Sequence, residues 1–556
     1  MKRTLLLAIL TVIVSTAVRA QLCVDGRPVV YDSESNTMMV SIPQENFGSS
    51  YRARITLSEG WSSLKINGSS VGEYYTFSSV EGGKTYSLTV KNPQKFVVTS
   101  KITFTFLPIL ELQGDFGYDY QEGTVSLYMP GGEVSTEMTG VLKWRGGSTN
   151  GEGKHKRNYK IKFSEDQRFF NLRKDNKWIL DAGQVDLFRL RNRVATELWL
   201  QMARKPYYSA EEPEARSGVR GEVVELVLNN EYRGIYCLTE AMDRKQMKLK
   251  KYDDATGAIH GGLWKSTDWL NSTMYRTLSF YDNRSPEWQS FEVKYPKLDD
   301  VEETDYSTLY NAISFVATSS DANFKAHVAE YFDMPVIIDY YIFVYVMAAM
   351  DNTGKNMYWA VYDKEKDKRL TPAVWDLDGT VGAKWLNHWV RGSYGSSSPE
   401  YDMKPGMYLY ERLIKLNACD FNTLVTQRYK ELRKTVLSTD NLVSLYTNYF
   451  DRIWKSGAAQ RETAVWSEDT DIDGETLDFE YEIYYISYWL VRRLKYLDET
   501  LFRSDDTATG IATMPATDGE DSPFYTVSGQ RTTRPGATGI YIRDGRKYVV
   551  KMRGER

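Results

Sequence analysis

The hydrophobic periodicity of the chain changes near residue 107, and this change limits the folds that the sequence can adopt. Before it, apolar and polar residues alternate in short runs such as Thr37–Ile42 and Tyr86–Val90, with Asn67-Gly68 as a turn signal. Period-two alternation, interrupted by turn residues at regular spacing, is typical of short strands in two packed sheets. We therefore predict a small all-β domain, an immunoglobulin-like sandwich, over residues 21–106.

From Leu107 onward the sequence mixes strand and helix patterns. Two strand-like runs flank Asn229-Asn230-Glu231, which predicts a hairpin between Val223–Leu228 and Gly234–Leu238. Apolar residues at helical spacing predict helices over Arg191–Ala203, Val336–Met350 and Tyr481–Arg503. We therefore predict that residues 107–503 form an α+β domain.

The composition is that of an ordinary globular protein, and it excludes some functions. A length of 556 residues indicates several domains. The formal net charge is −4 and the 70 basic residues are scattered, so nothing predicts a nucleic-acid partner. The 40 Tyr and 14 Trp residues are spread over the whole chain, which favours strand-rich structure with a large core over a dedicated sugar-binding surface.

The N-terminus has the pattern of a secretory signal peptide. Lys2 and Arg3 precede an apolar stretch, Leu5–Val14, and Ala20 ends a run that fits a cleavage site. Residues 1–20 are too short for a stable membrane anchor. The apolar run Val336–Met350 is also too short, so we predict no transmembrane segment and an exported protein, located in the periplasm, on the cell surface or in the medium.

The C-terminal end divides into a linker and a tail. Residues 504–523 are polar and rich in Thr, Asp, Gly and Pro, which is typical of a linker. Residues 524–556 contain two strand-like segments around a turn. This tail resembles the C-terminal segments of many exported proteins in one group of Gram-negative bacteria, where such segments are associated with sorting or surface display.

The chain has three cysteines, which is too few for a disulfide scaffold. One bridge, between Cys237 and Cys419, is the pairing that we consider.

A group of polar residues between positions 351 and 379 has the spacing of a phosphotransfer site. Asp351 precedes Asn356 by five residues, and Asp376-Leu377-Asp378-Gly379 follows some twenty residues later. In such sites an Asp accepts or orients the proton of the attacking hydroxyl, and Asn and Asp oxygens hold Mg²⁺ against the phosphates. The alternative is that these side chains only stabilise turns.

A second region has the features of a phosphate-binding segment. Arg145-Gly146-Gly147-Ser148 is a small turn whose backbone amides can approach a phosphate. In the following strand Tyr159, Ile161 and Phe163 share one face, and Lys160 and Lys162 share the other. An ordinary solvated strand has the same pattern.

These segments together resemble the CotH family of atypical protein kinases over residues from about 107 to about 503. The family pattern of an RGxS turn and a PYKIKF-like strand is matched by Arg145–Ser148 and Asn158–Phe163. Further blocks in the family's order are Arg191-Asn192, Val224–Leu226, Leu238–Glu240, Lys294–Pro296, Asp351–Asn356 and Trp375–Asp378.

The resemblance implies an atypical kinase fold and the transfer of phosphate from ATP to Ser or Thr of a protein substrate. It implies that Asp351 is the catalytic Asp. The metal ligands would be Asp376 with Asp378 and Asn356. Nucleotide binding would involve the turn residues Arg145 and Ser148, one of the lysines Lys160 and Lys162, and Glu240 in the cleft.

Two alternatives remain open. Residues 469–480 fit the calcium-loop pattern D-x-D-x-D-G-x₅-E, and a solvated acidic loop before the last helix is the other interpretation. The alternative to a kinase is a non-catalytic surface adhesion or glycan-binding protein that keeps the CotH fold, with a cell-surface glycan as its partner.

Overall fold

The computed structural model describes residues 22–134, 137–147, 155–383, 398–403, 406–469 and 476–503, and the backbone of 524–526, 531–532, 539–543 and 546–550. The chain forms two compact units. The first comprises Met1–Arg189, Arg220–Ala241 and Tyr449–Leu477, and the second comprises Leu190–Val219, Met242–Asn448 and Asp478–Arg556.

The N-terminal part of the first unit consists of two sheets around one core. Their strands are Leu22–Val24 (β1), Arg27–Pro28 (β2), Val30–Asp32 (β3), Thr37–Ser41 (β4), Tyr51–Leu57 (β5), Ser62–Ile66 (β6), Ser69–Ser70 (β7), Tyr74–Phe77 (β8), Thr85–Lys91 (β9) and Val97–Thr105 (β10). The orders are β2-β1-β5-β8 and β3-β4-β10-β9-β6-β7. In β5, Tyr51, Ala53 and Ile55 are buried in the shared core and alternate residues face solvent. The predicted all-β region is confirmed, and its separation as a domain at residue 106 stays a prediction.

The first unit also contains a closed barrel. Its strands are Ile109–Gln113 (β11), Gln121–Tyr128 (β12), Met138–Arg145 (β13), Asn158–Gln167 (β14), Asp175–Asp181 (β15), Gly221–Leu228 (β16) and Glu231–Glu240 (β17). They follow the order β11-β12-β13-β14-β15-β17-β16, and a parallel pairing of β11 with β16 closes the ring. In β14 the residues Tyr159, Ile161 and Phe163 fill the barrel core, as the alternation predicted.

A short helix, Ala458–Val465, packs against β17 and places a carboxylate inside this unit. Glu462 Oε1 accepts hydrogen bonds from Lys156 Nζ and Arg189 Nε, both at 2.7 Å, and Oε2 accepts one from the Ile235 N–H at 2.7 Å. The three charged side chains are fully buried. Buried charges persist only where they are paired and hydrogen-bonded, so these groups depend on one another.

The second unit combines a five-stranded antiparallel sheet with most of the helices. The strands are Gly262–Ser266 (β18), Glu287–Trp288 (β19), Phe291–Tyr295 (β20), Met357–Val361 (β21) and Thr371–Val374 (β22), in the order β19-β20-β18-β21-β22. The described α-helices that lie in this unit are Arg191–Met202, Arg244–Met247, Ser307–Thr318, Asp321–His327, Met334–Met347, Tyr408–Leu416, Phe421–Arg433 and Phe479–Glu499. The helix Thr439–Lys455 begins in this unit, and its residues from Tyr449 onward belong to the first unit. The chain is therefore a mixed α and β protein with an all-β N-terminal region.

The helix Met334–Met347 is buried on all sides. Its one carboxylate, Asp339, is fully buried and forms ion pairs with Arg204 at 2.9 Å and Arg428 at 3.0 Å. A helix that is apolar all round belongs in a core, and the charge is tolerated because it is paired. Among the described residues, no helix is both long and apolar enough to cross a membrane.

The predicted helices and hairpin are present, with differences at the helix ends. The helix predicted over Tyr481–Arg503 spans Phe479–Glu499, and the helix predicted over Arg191–Ala203 ends at Met202. Asn229 and Asn230 join β16 to β17 with positive φ values of 52° and 64°, a conformation that Asn tolerates in tight hairpin turns. The helix predicted to reach Met350 ends at Met347, because Ala348 adopts a left-handed φ of 48°. The apolar run continues past Ala348 to Met350, so the hydrophobic pattern does not indicate where the helix ends.

The bridge considered between Cys237 and Cys419 is not formed. Cys23, Cys237 and Cys419 are free thiols, with Cys237 buried and Cys419 exposed.

The C-terminal tail has more strands than predicted. Phe524–Thr526 (β23), Arg531–Thr532 (β24), Gly539–Arg543 (β25) and Arg546–Val550 (β26) form a sheet in the order β24-β23-β25-β26. The predicted signal peptide at 1–20 and the linker at 504–523 lie outside the described residues.

The buried ion network predicts a large loss of stability in Glu462→Ala. This change leaves the ammonium of Lys156 buried without its carboxylate and leaves Arg189 with Asp469 as its remaining carboxylate partner, which costs about 3–5 kcal/mol. Urea unfolding should measure this loss. The matched control is Glu468→Ala, an exposed residue, for which a change within about 0.5 kcal/mol is expected. Equal effects of the two substitutions would contradict a structural role for the network.

Candidate active site

Asp351 lies in a short 3₁₀ turn, Met350–Asn352, between the buried helix Met334–Met347 and strand β21. Only 8% of the residue is exposed. Burial raises the pKa of the Asp351 carboxyl, the nearby ammonium of Lys355 lowers it, and the negative charge of Asp376 raises it again, with a net increase. The effect of Asp376 indicates that the two carboxylates share one electrostatic environment.

Asn356 lies beside Asp351 and directly precedes β21. Its Nδ2 donates to Asp351 Oδ2 at 3.4 Å, and its backbone N–H donates to the Ser266 carbonyl at 3.0 Å. Asn356 has a φ of 52°, which Asn adopts more readily than most residues. The five-residue spacing predicted from the sequence therefore brings the two side chains into contact.

Asp376 reaches the same region from the end of β22. Asn352, 1% exposed, donates from Nδ2 to the carbonyls of both Asn356 and Trp375 at 2.8 Å. These bonds join the turn that carries Asp351 to the segment that carries Asp376. On the other side, Asn192 Oδ1 accepts from the Leu377 N–H at 3.0 Å. Asp378 is partly buried in the turn that follows.

Lys355 adds a cation that the sequence analysis did not assign. Its Nζ lies 3.8 Å from Asp351 Oδ2 and 4.7 Å from the centre of the Trp269 ring. The indole and the carboxylate together hold the ammonium beside the acidic residues. The position four residues after Asp351 was the available signal, since i and i+4 side chains in a tight turn often approach each other.

The acidic residues fit a magnesium ion that is shared with a ligand. Asn356, Asp376 and Asp378 supply hard oxygen donors, which Mg²⁺ prefers. Within the described part of the chain, no group of three His, Cys, Asp or Glu side chains is placed to hold a metal by itself. Mg²⁺ in phosphotransfer sites is commonly held by one or two carboxylates together with substrate phosphates, and this donor set matches that arrangement.

The predicted phosphate-binding residues belong to the first unit. Arg145 ends β13 and is partly buried, Lys160 is partly buried on β14, and Lys162 is exposed on the same strand. Strand alternation places both lysines on the outer face of the barrel, opposite the core residues of β14. Ser148 lies outside the described residues.

Glu240 is firmly held at the end of β17. Its carboxylate accepts hydrogen bonds from Arg220 Nη2 at 2.7 Å and from the backbone N–H groups of Arg173 and Arg220 at 2.9 and 3.0 Å. Burial acts to raise the pKa of Glu240, but these donors lower it below its ordinary value. Glu240 is therefore a carboxylate that remains ionised in a fixed orientation.

The candidate calcium loop, residues 469–480, includes residues 470–475, which lie outside the described residues. Its first residue, Asp469, forms an ion pair with Arg189 at 2.5 Å.

The cross-link through Asn352 predicts that Asn352→Ala destabilises the second unit. The substitution removes the amide group that donates to the carbonyls of Asn356 and Trp375, which costs about 1–3 kcal/mol. Chemical denaturation should detect the loss, with Asn323→Ala, an exposed asparagine of the same unit, as the control. An unchanged midpoint in Asn352→Ala would contradict the cross-link.

The raised pKa of Asp351 predicts a pH-dependent gain of stability in Asp351→Asn. The folded state binds this proton more tightly than the unfolded chain, so the carboxyl lowers stability as the pH rises through the folded pKa. In EDTA at about pH 7, Asp351→Asn should be more stable than the parent by about 0.5–2 kcal/mol. The difference should shrink as the pH falls towards the ordinary pKa of Asp, near 3.8. Urea unfolding from about pH 4 to pH 8 measures it, and a gain that grows towards acid pH would contradict the sign.

Comparison with known proteins identifies the family. A family profile described as CotH kinase protein matches residues 142–497, which is more than half of the chain. No curated protein matches the chain. The matched range includes Lys160, Glu240, Asp351, Asn356 and Asp376. The chain therefore belongs to the CotH kinase protein family.

Proposed function

We propose that this protein is an exported CotH-like kinase with an atypical kinase fold. It transfers the γ-phosphate of ATP, with Mg²⁺, to Ser or Thr of surface or exported proteins. The observation that supports this most strongly is the buried Asp351 carboxylate in contact with Asn356 and in the electrostatic field of Asp376. Side chains that only stabilise turns do not require two carboxylates of like charge in one partly buried site.

In this proposal Asp351 acts on the substrate hydroxyl. As the hydroxyl oxygen attacks the γ-phosphorus, its proton passes to the Asp351 carboxylate. The bond between the γ-phosphorus and the bridging oxygen breaks, and ADP leaves. Burial and the charge of Asp376 raise the pKa of Asp351, which makes its carboxylate a better proton acceptor than an exposed aspartate.

Asp376, with Asp378 and Asn356, would hold the Mg²⁺ ion. The ion supplies positive charge against the β- and γ-phosphates when it is bound. Asn352 keeps the turn of Asp351 fixed relative to the segment of Asp376, so the donors have a constant spacing. Such positioning is the main source of catalysis in phosphoryl transfer.

We assign phosphate binding to Arg145, Ser148 and one of the outward-facing lysines, Lys160 or Lys162. Glu240 would act as a fixed ionised carboxylate in the nucleotide cleft, since Arg220 holds its orientation. Residues 1–20 would direct export, and residues 524–556 would direct sorting or display at the surface.

Nucleotide binding and turnover give the direct test. Saturating Mg-ATP should stabilise the full chain, by about 2.7 kcal/mol at a ligand concentration 100 times Kd. Asp376→Asn should lose this stabilisation. Asp351→Asn should keep it but lower ADP formation by about 10²–10⁴-fold, because only the proton acceptor is removed.

The control is Asp254→Asn, a surface aspartate whose side chain is 74% exposed. It should match the parent in both assays. If Mg-ATP gives the parent no thermal shift, or if Asp351→Asn forms ADP at the parental rate, the kinase proposal fails. The remaining candidate is then a non-catalytic adhesion or glycan-binding protein of the CotH family.

A further inference from the structure

An open cleft of about 530 Å³ lies at one mouth of the barrel, within the first unit. Its floor includes Phe116 and Tyr159, which belong to the barrel core, and Trp144 packs against the same core. The mouths of β-barrels are common ligand sites, and this volume lies in the usual range for small-molecule pockets.

Two arginines line the cleft, and each one stacks on a tryptophan. The guanidinium of Arg157 lies 4.3 Å from the centre of the Trp144 ring, and that of Arg233 lies 5.1 Å from the centre of the Trp466 ring. Stacking on an aromatic face fixes the plane of a guanidinium, and a guanidinium binds a carboxylate through its N–H edge.

Arg233 is held further by the backbone. Its Nη2 donates to the His155 carbonyl at 2.9 Å. Its Nε is buried and has no hydrogen-bond partner among the described residues. A weak ion pair joins it to the half-exposed Glu231 at 3.7 Å.

The guanidinium charges of Arg157 and Arg233 both affect the pKa of the Tyr159 hydroxyl. Burial raises the pKa of Tyr159, and the charges of Arg233 and Arg157 oppose this increase. Both cations therefore lie near Tyr159, and the three residues line the same cleft, so an anionic group in the cleft can meet their N–H and O–H donors.

The rim of the cleft carries groups of a different kind. Asp115 is exposed on the rim, and His155 lies there as well. A carboxylate repels a simple anion, but it accepts hydrogen bonds from hydroxyl groups. The lining thus suits a ligand with one acidic group, several hydroxyls and a ring that packs against indole edges.

We propose that the barrel-mouth cleft binds an acidic sugar of the uronic acid type. Arg157, Arg233 and the Tyr159 hydroxyl receive the carboxylate, Trp144 and Trp466 border the ring, and Asp115 accepts hydrogen bonds from sugar hydroxyls. The assignment is independent of the proposed kinase reaction. Tyr159 faces the barrel interior, whereas Lys160 and Lys162 lie on the opposite face of the same strand.

Binding of defined sugars to the full chain tests the proposal. Isothermal titration calorimetry with D-glucuronate and di-galacturonate should show binding, and D-glucose should bind at least tenfold more weakly, because it lacks the acid. Arg157→Gln and Arg233→Gln should each raise the Kd for the uronates at least tenfold. Lys174→Gln, an exposed lysine of the same unit, should leave the Kd unchanged.

Arg157→Gln is the decisive variant if Arg233→Gln fails to fold, and the midpoint of thermal unfolding distinguishes these cases. Absence of uronate binding at about 10 mM would overturn the proposal. So would equal binding of glucose, or binding of inorganic phosphate and O-phosphoserine in place of the uronates, which would make the cleft a phosphopeptide site. A co-crystal with di-galacturonate should place the carboxylate against Arg157 and Arg233.

Discussion

The buried carboxylate of Glu462 holds together chain segments that are far apart in sequence. Lys156 precedes it by 306 residues and Arg189 by 273, yet both donate to the same oxygen. Gly234 makes this possible, since a Cβ there would lie 1.8 Å from Glu462 Oε2 and its φ is 93°. Glycine at this position lets the carboxylate reach the Ile235 N–H. The barrel therefore depends on the helix Ala458–Val465, which follows the whole central region in the sequence.

The second unit uses a buried cation in a comparable way. Arg493 is fully buried and donates from Nε and Nη2 to the Tyr345 carbonyl, at 2.9 and 2.6 Å. Tyr345 lies in the last turn of the helix that leads to Asp351, where carbonyl groups lack helical partners and favour a positive charge. Burial lowers the pKa of Arg493 to about 10, and its carbonyl partners compensate the desolvation. This contact fixes the end of the helix and thus the start of the turn that carries Asp351.

The sequence predicted the residues of the candidate site better than it predicted the side chains that hold them in position. Asp351 and Asn356 were recognised because their spacing is local, and the structure brings them into contact. Asn352 and Lys355 were not recognised. Asn352 bonds to Trp375, which lies 23 residues further on, and Lys355 depends on an indole from another loop. Contacts between turns on different strands produce no periodic pattern in the sequence. They can therefore be identified only in the folded structure.

The sequence by itself determined the local structure of this protein and its family. Alternation predicted the all-β region and the inward face of β14, helical spacing predicted the buried helices, and the order of short motifs predicted CotH. Tertiary structure decided which distant charges meet, that the strands from Ile109 to Glu240 close into a barrel, and that Cys237 and Cys419 stay free thiols. Side-chain periodicity is a property of neighbouring residues. Ring closure and buried ion pairs depend on the free energy of desolvation and on packing between segments hundreds of residues apart.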